Sequence, residues 1–135
     1  MDEAYIKGHY DYNGGCGGSA YAILCNGKVI RSASRGLWLT TSVRAEILAA
    51  VSVVSWICDG SEILIHTNNK CLEASLNGKK LKPDDTNADL LGMYYKRISD
   101  GHLKVSVQWN AKADNNAFMR HVDDEAMQRL NALLI

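Results

Sequence analysis

The side chains best suited to chemistry in this chain are four histidines, four cysteines and a few clustered charges, and most of them lack the spacing that chemistry needs. Cys16, Cys25, Cys58 and Cys71 form no CxxC pair and have no histidine at ligand distance along the sequence, which argues against zinc. Three of them lie in or beside apolar runs, where a free thiol packs as a small hydrophobe, so structural thiols in a reducing compartment are expected. His9, His66, His102 and His121 are dispersed; His121, within one helical turn of Asp124, is the one placed to serve as a general base. Lys7 is a conceivable amine nucleophile, although no neighbouring feature asks for one. Asp11 is best suited to a turn. Asn13-Gly14-Gly15-Cys16-Gly17-Gly18 is glycine-rich, yet it joins strand to strand, whereas a phosphate cradle needs a helix N-terminus directly after it.

Periodicity supplies the elements that must hold these groups. Ala4 to Tyr10 alternates as a strand ending near Gly8, and Ser19 to Cys25 is a second strand. Asn26-Gly27 is a two-residue hairpin signal leading into Lys28 to Arg31, with Ser34 to Leu39 completing a third strand. From Thr41 the period becomes helical: Val43, Ile47, Val51 and Val54 form an apolar stripe, Thr41 or Ser42 offers the N-cap, and Asp59-Gly60 ends the helix. Glu62 to Thr67 has the near-continuous apolar pattern of a buried parallel strand. Helices are expected near Asn69 to Leu76, Asn87 to Ile98 and Met119 to Leu134, with a strand over 103–109. The order β-β-β-α-β-α-α-β-α implies an α/β domain over 1–135. Its central five-stranded mixed sheet has three antiparallel strands followed by two parallel ones, flanked by helices.

Composition narrows the function classes. Lys plus Arg equals Asp plus Glu, 15 against 15, so no net positive field draws the whole molecule to a phosphate backbone and any nucleic-acid contact must be local. Apolar runs such as Ile47 to Val54 are far shorter than the ~20 residues that span a bilayer, so no membrane association is expected. Met1-Asp2-Glu3 is acidic and carries no apolar signal, which suggests a cytoplasmic location. Lys79, Lys80 and Lys82 share the polar stretch that contains Pro83 and form either a solvated loop or a local basic contact.

Several segments in this order resemble the ribonuclease H family. Tyr5-Ile6-Lys7-Gly8-His9-Tyr10 is similar to the family's Tyr-x-Asp-Gly-Ser strand, with Gly17-Gly18 preceding the second strand. Thr41-Ser42-Val43-Arg44-Ala45-Glu46 resembles the Thr-Asn-Asn-Arg-Ala-Glu start of the first helix, and Ile65-His66-Thr67-Asn68-Asn69 the strand end Thr-Asp-Ser. Thr86-Asn87-Ala88-Asp89-Leu90-Leu91 resembles Lys-Asn-x-Asp-Leu-Trp, and Val122-Asp123-Asp124-Glu125-Ala126 the Ala-Asp-x-Leu-Ala start of the last helix. The likeness implies the family's fold and a site where two divalent ions, about 3.5–4 Å apart and held by Asp, Glu, Asp and Asp, hydrolyse RNA in an RNA/DNA hybrid.

Carried onto this chain, the four positions become Lys7, Glu46, Asn68 and Asp124, with Asp123 as the alternative if the register slips by one. The register that selects Asp124 lays Lys112-Ala113-Asp114 on the family's Lys-Ala-His, so Asp114 stands where the family has a loop histidine. The four positions carry a formal charge of −1, against −4 in the family pattern. A lysine at a ligand position adds a fixed charge that competes with the ions. No metal is therefore expected; if one binds, magnesium or manganese between Glu46 and Asp124 is the arrangement to look for. Lys7 is read as an ammonium standing in for the lost metal between the two carboxylates. The resemblance further implies nucleic-acid contacts at Thr40, Thr41, Ser42 and Arg44, joined by Lys79, Lys80 and Lys82. The expectation is a ribonuclease H-like protein without hydrolysis that binds an RNA/DNA hybrid, another nucleic acid or a protein partner. An active nuclease with an atypical site and a purely structural interaction domain are the alternatives.

Overall fold

The computed structural model describes residues 2–78, 86–110 and 116–134. Five strands, β1 (Asp2–Asp11), β2 (Cys16–Cys25), β3 (Lys28–Trp38), β4 (Glu62–Thr67) and β5 (Lys104–Trp109), form one sheet in the order β3-β2-β1-β4-β5. β1 to β3 are antiparallel, and β4 and β5 join in parallel. Four helices complete the domain: α1 (Ser42–Trp56), α2 (Lys70–Leu76), α3 (Ala88–Asp100) and α4 (Ala117–Leu133). The element order and sheet type are those that periodicity implied.

Several boundaries moved outward. β1 continues past Gly8 to Asp11, and β2 already begins at Cys16, so Gly17 and Gly18 lie inside the strand rather than before it. Conversely, α1 ends at Trp56, short of Asp59-Gly60. Arg97 accounts for that early end: its guanidinium donates to the carbonyls of Val54 and Ile57 at 2.8 Å each and to Asp59 at 2.7 Å, satisfying the groups that a further turn would have used. At Asn26-Gly27 both residues take positive φ, 52° and 79°, as a tight hairpin turn requires.

Alternation divides the sheet residues between two cores. Ala4, Ile6, Tyr21, Ile23, Ile63 and Ile65 face α1 and α3, where Ile47, Val51 and Val54 of the predicted stripe are buried and Val43 packs at its margin. On the other face Tyr5, Ala20, Ala22 and Leu24 meet Met119, Val122 and Ala126 of α4. Two glycines set how closely the helices lie. A Cβ at Gly8 would stand 2.5 Å from Ser42 O and Glu46 N of α1, and one at Gly18 would overlap the carbonyl of Ala126 in α4. Both helices thus press their backbones directly on β1 and β2.

The thiols correct one expectation. Cys16 is buried, but Cys25 is only partly so, and Cys58 and Cys71 are exposed, the first beyond the end of α1 and the second in the opening turn of α2. At the β5 margin, side chains of α2 replace a neighbouring strand. Asn77 donates to Val107 O at 2.8 Å and accepts from Val107 N at 3.0 Å, and Glu73 accepts from Trp109 N at 2.7 Å.

Candidate functional site

Strand alternation sends Lys7 and His9 of β1 to the face covered by α4, and both reach one carboxylate. Asp123 Oδ1 lies 2.7 Å from His9 Nε2 and 3.9 Å from Lys7 Nζ. Because a carboxylate only accepts, the bonded Nε2 carries the hydrogen. Of the two acids that the register left open, Asp123 is therefore the one beside Lys7. Asp124 is exposed and, with Met119, Arg120 and Asp123, lines an adjoining cavity of about 280 Å³. One residue along a helix is about 100° of rotation, which is enough to separate the two.

Glu46 enters from α1, brought in by the close seat of that helix on Gly8. It is only 3% exposed. Its carboxylate accepts from Thr67 Oγ1 at 3.2 Å, and the same hydroxyl accepts from Asn69 N at 3.1 Å. Burial pushes the Glu46 carboxyl up to about 7, with the nearby charge of Lys7 and the Thr67 hydroxyl pulling the other way. Asn68 is half-buried at the end of β4, next in the chain to Thr67. Lys7 thus lies close enough to Glu46 for its charge to act on that carboxyl, and the α4 acid it pairs with is Asp123.

The residues proposed for nucleic-acid contact flank the start of α1. Thr41 is exposed and caps the helix by accepting from Arg44 N at 3.1 Å, while Ser42 is its exposed first residue. Thr40 is buried. Arg44 is already engaged: its two terminal nitrogens grip Asp89 at 2.9 and 2.6 Å, which holds the Asp89 carboxyl down at about 2. Lys79, Lys80, Lys82 and Asp114 lie outside the described residues. Asp11 serves its turn, accepting from Gly14 N at 2.7 Å, and His121 is exposed on α4.

Two members of the cluster escaped sequence reasoning. In the sequence His9 is one of four scattered histidines, although a spacing of two from Lys7 on a strand puts both on one face. Thr67, fully buried, gave no signal apart from closing an apolar strand.

The donor chemistry here does not suit the magnesium that the fold resemblance implies. Magnesium needs several anionic oxygens. Glu46 is a buried acid with a raised pKa, Asp123 is already hydrogen-bonded to His9, and Lys7 places an ammonium beside both carboxyls. Among the described residues no group of three or more His, Cys, Asp or Glu is arranged to hold a metal ion.

No protein-family profile matches the chain, and no curated protein sequence matches it either. Solved structures do. The RNase H1 of the halophilic archaeon Halobacterium salinarum NRC-1 is 16% identical over 97% of this chain and 98% of its own, with a TM-score of 0.79. The N-terminal RNase H domain of a Mycobacterium tuberculosis protein is 15% identical over 99% and 97%, with a TM-score of 0.78. LC11-RNase H1, solved in complex with an RNA/DNA hybrid, is 16% identical over the whole of both chains, with a TM-score of 0.80. The chain has a ribonuclease H-like fold.

Proposed function

On this fold, we propose that the chain acts by binding nucleic acid, an RNA/DNA hybrid in the first instance, without hydrolysing it. The observation that carries the reading is Lys7 beside Glu46 and Asp123, with its ammonium 3.9 Å from the Asp123 carboxylate where the family resemblance places metal-held carboxylates. A lysine there neutralises the remaining acids and competes with any cation that approaches them. Glu46, protonated in part near neutral pH, contributes less negative charge still.

Hybrid binding is supported by the full-length match to a protein solved with an RNA/DNA hybrid, together with the exposed Thr41 and Ser42 at the start of α1 and the half-buried Arg44 beside them. The lysines at 79, 80 and 82 would add phosphate contacts. No helix among the described residues is long and apolar enough to cross a membrane.

The test pairs cleavage with binding. The purified chain, incubated with a labelled RNA/DNA hybrid in magnesium and in manganese, is expected to leave the RNA strand intact. It is expected to bind the hybrid with an affinity that falls between a low and a high salt concentration, because phosphate contacts release counterions. Magnesium-dependent cleavage abolished by Glu46→Gln would overturn the non-hydrolytic reading. An absence of salt-dependent binding would overturn the nucleic-acid reading and leave a protein partner as the remaining mode.

A further inference from the structure

On the α1 side of the sheet, a cavity of about 190 Å³ opens between β2, β3 and α1, lined by Ser19, Tyr21, Ala33, Ser34, Arg35 and Ser52. None of these is acidic. Its hydrogen-bonding capacity can be assigned atom by atom. Ser19 Oγ donates to Ala45 O at 2.7 Å and Ser52 Oγ to Leu48 O at 3.0 Å, so both hydroxyls offer a ligand only their lone pairs. Ser34 Oγ turns to the α4 face of the sheet, donating to Glu125 Oε2 at 3.3 Å and accepting from Arg129 Nε at 3.0 Å, so its hydroxyl is not offered to the cavity. Tyr21 differs, because its oxygen accepts from Arg31 Nε at 3.2 Å and its own hydrogen remains to be given. Arg35 is exposed at the rim, and its side chain makes no hydrogen bond or ion pair among the described residues.

The two elements that flank the cavity, β3 and α1, carry mostly positive charge, while Glu125 of α4 reaches Ser34 from the other face of the sheet. β3 carries Lys28, Arg31 and Arg35 and no acid, and the only acid of α1 is the buried Glu46. Arg31 is fixed in place, bonded to Tyr21 and lying 5.9 Å over the Trp56 ring. In a chain of zero net charge this groove is a local positive field over a cavity of mixed polar and apolar lining.

We propose that the cavity binds a phosphate group, free or carried by a nucleotide. The Arg35 fork matches two phosphate oxygens, the Tyr21 hydroxyl donates to a third, and the Ser19 and Ser52 lone pairs accept from a phosphate or sugar hydroxyl. The site is separate from the Lys7 cluster and does not depend on hybrid binding.

Amide shifts of the isotope-labelled full chain, titrated with inorganic phosphate and with a nucleoside 5′-monophosphate against chloride at equal ionic strength, test this. Saturable shifts are expected at Ser19 to Tyr21, Ala33 to Arg35 and Ser52. Arg35→Ala is expected to weaken binding by roughly tenfold or more, as loss of a charge-assisted pair demands, and Tyr21→Phe by several-fold. Tighter binding of the nucleotide at the same amides assigns a nucleotide ligand; equal binding assigns free phosphate. Shifts that match the chloride control, saturable shifts confined to other residues, or unchanged binding in Arg35→Ala would each overturn the proposal.

Discussion

Glu46→Gln tests the electrostatics of the cluster without removing atoms from it. Glutamine keeps the oxygen that accepts from Thr67 and the volume that α1 buries against the sheet, but it cannot ionise. In the folded chain the Glu46 carboxyl titrates at about 7, against 4.5 as the ordinary value. A folded pKa above the unfolded one means that stability is fully present below pH 4.5 and is lost as pH rises through 7. The full difference corresponds to about 3 kcal/mol, most of which is lost between pH 5 and pH 8. Relative to the parent chain, Glu46→Gln should therefore gain most of that between the two pH values. Urea unfolding at pH 5 and pH 8, with midpoints and slopes compared for both chains, reads the effect directly. Comparing the two chains cancels the other titrating groups. Lys7→Met gives a second reading: without the ammonium, Glu46 should titrate higher and the loss of stability should move to higher pH. Parallel pH profiles for the parent chain and Glu46→Gln would refute the picture of a buried, partly protonated acid beside a lysine.

Restoring anions is the complementary perturbation. Lys7→Asp with Asn68→Asp should create magnesium or manganese binding measurable by calorimetry, with each single change doing less, because the ligands act as a unit. Gly18→Ala should destabilise the fold by about 3 kcal/mol or more, at or above the usual range for overpacking, since the clash is with a helix backbone; a thermal midpoint within a degree or two of the parent would contradict the packing described. Asp89→Ala should release Arg44 for phosphate contact and tighten hybrid binding several-fold, while Arg44→Ala should lower the salt slope by about one, both read by titration at several salt concentrations.

How much of this could be read from the chain depended on whether the signal was local. Asn26-Gly27, the α1 stripe and the apolar β4 run each declare themselves within a few residues, and those elements formed where expected. The end of α1 did not, because Arg97, 40 residues beyond Ile57, closes it. The identity of the facing acid was equally non-local. Asp123 and Asp124 are equivalent in a sequence register, and only the rotation of α4 on β2, set at Gly18 and Ala126, distinguishes them. His9 was within reach, since alternation alone pairs it with Lys7. The exposure of Cys58 and Cys71 was misread because adjacency to an apolar run does not specify which way a side chain points.

The two margins of the sheet are not alike, and this limits how the molecule can assemble. At β5, the outward N–H and C=O of Val107 and the N–H of Trp109 are already occupied by Asn77 and Glu73, so a strand arriving there must first displace the side chains of α2 and its C-cap. β3, an eleven-residue strand with Val29 and Ile30 exposed, is the opposite margin and among the described residues has a neighbouring strand only in β2. Head-to-tail stacking of sheets into a filament needs two receptive margins per molecule. With one blunted, strand addition has a valence of one: two copies meeting through β3 about a twofold axis consume both receptive margins, and growth stops at the pair.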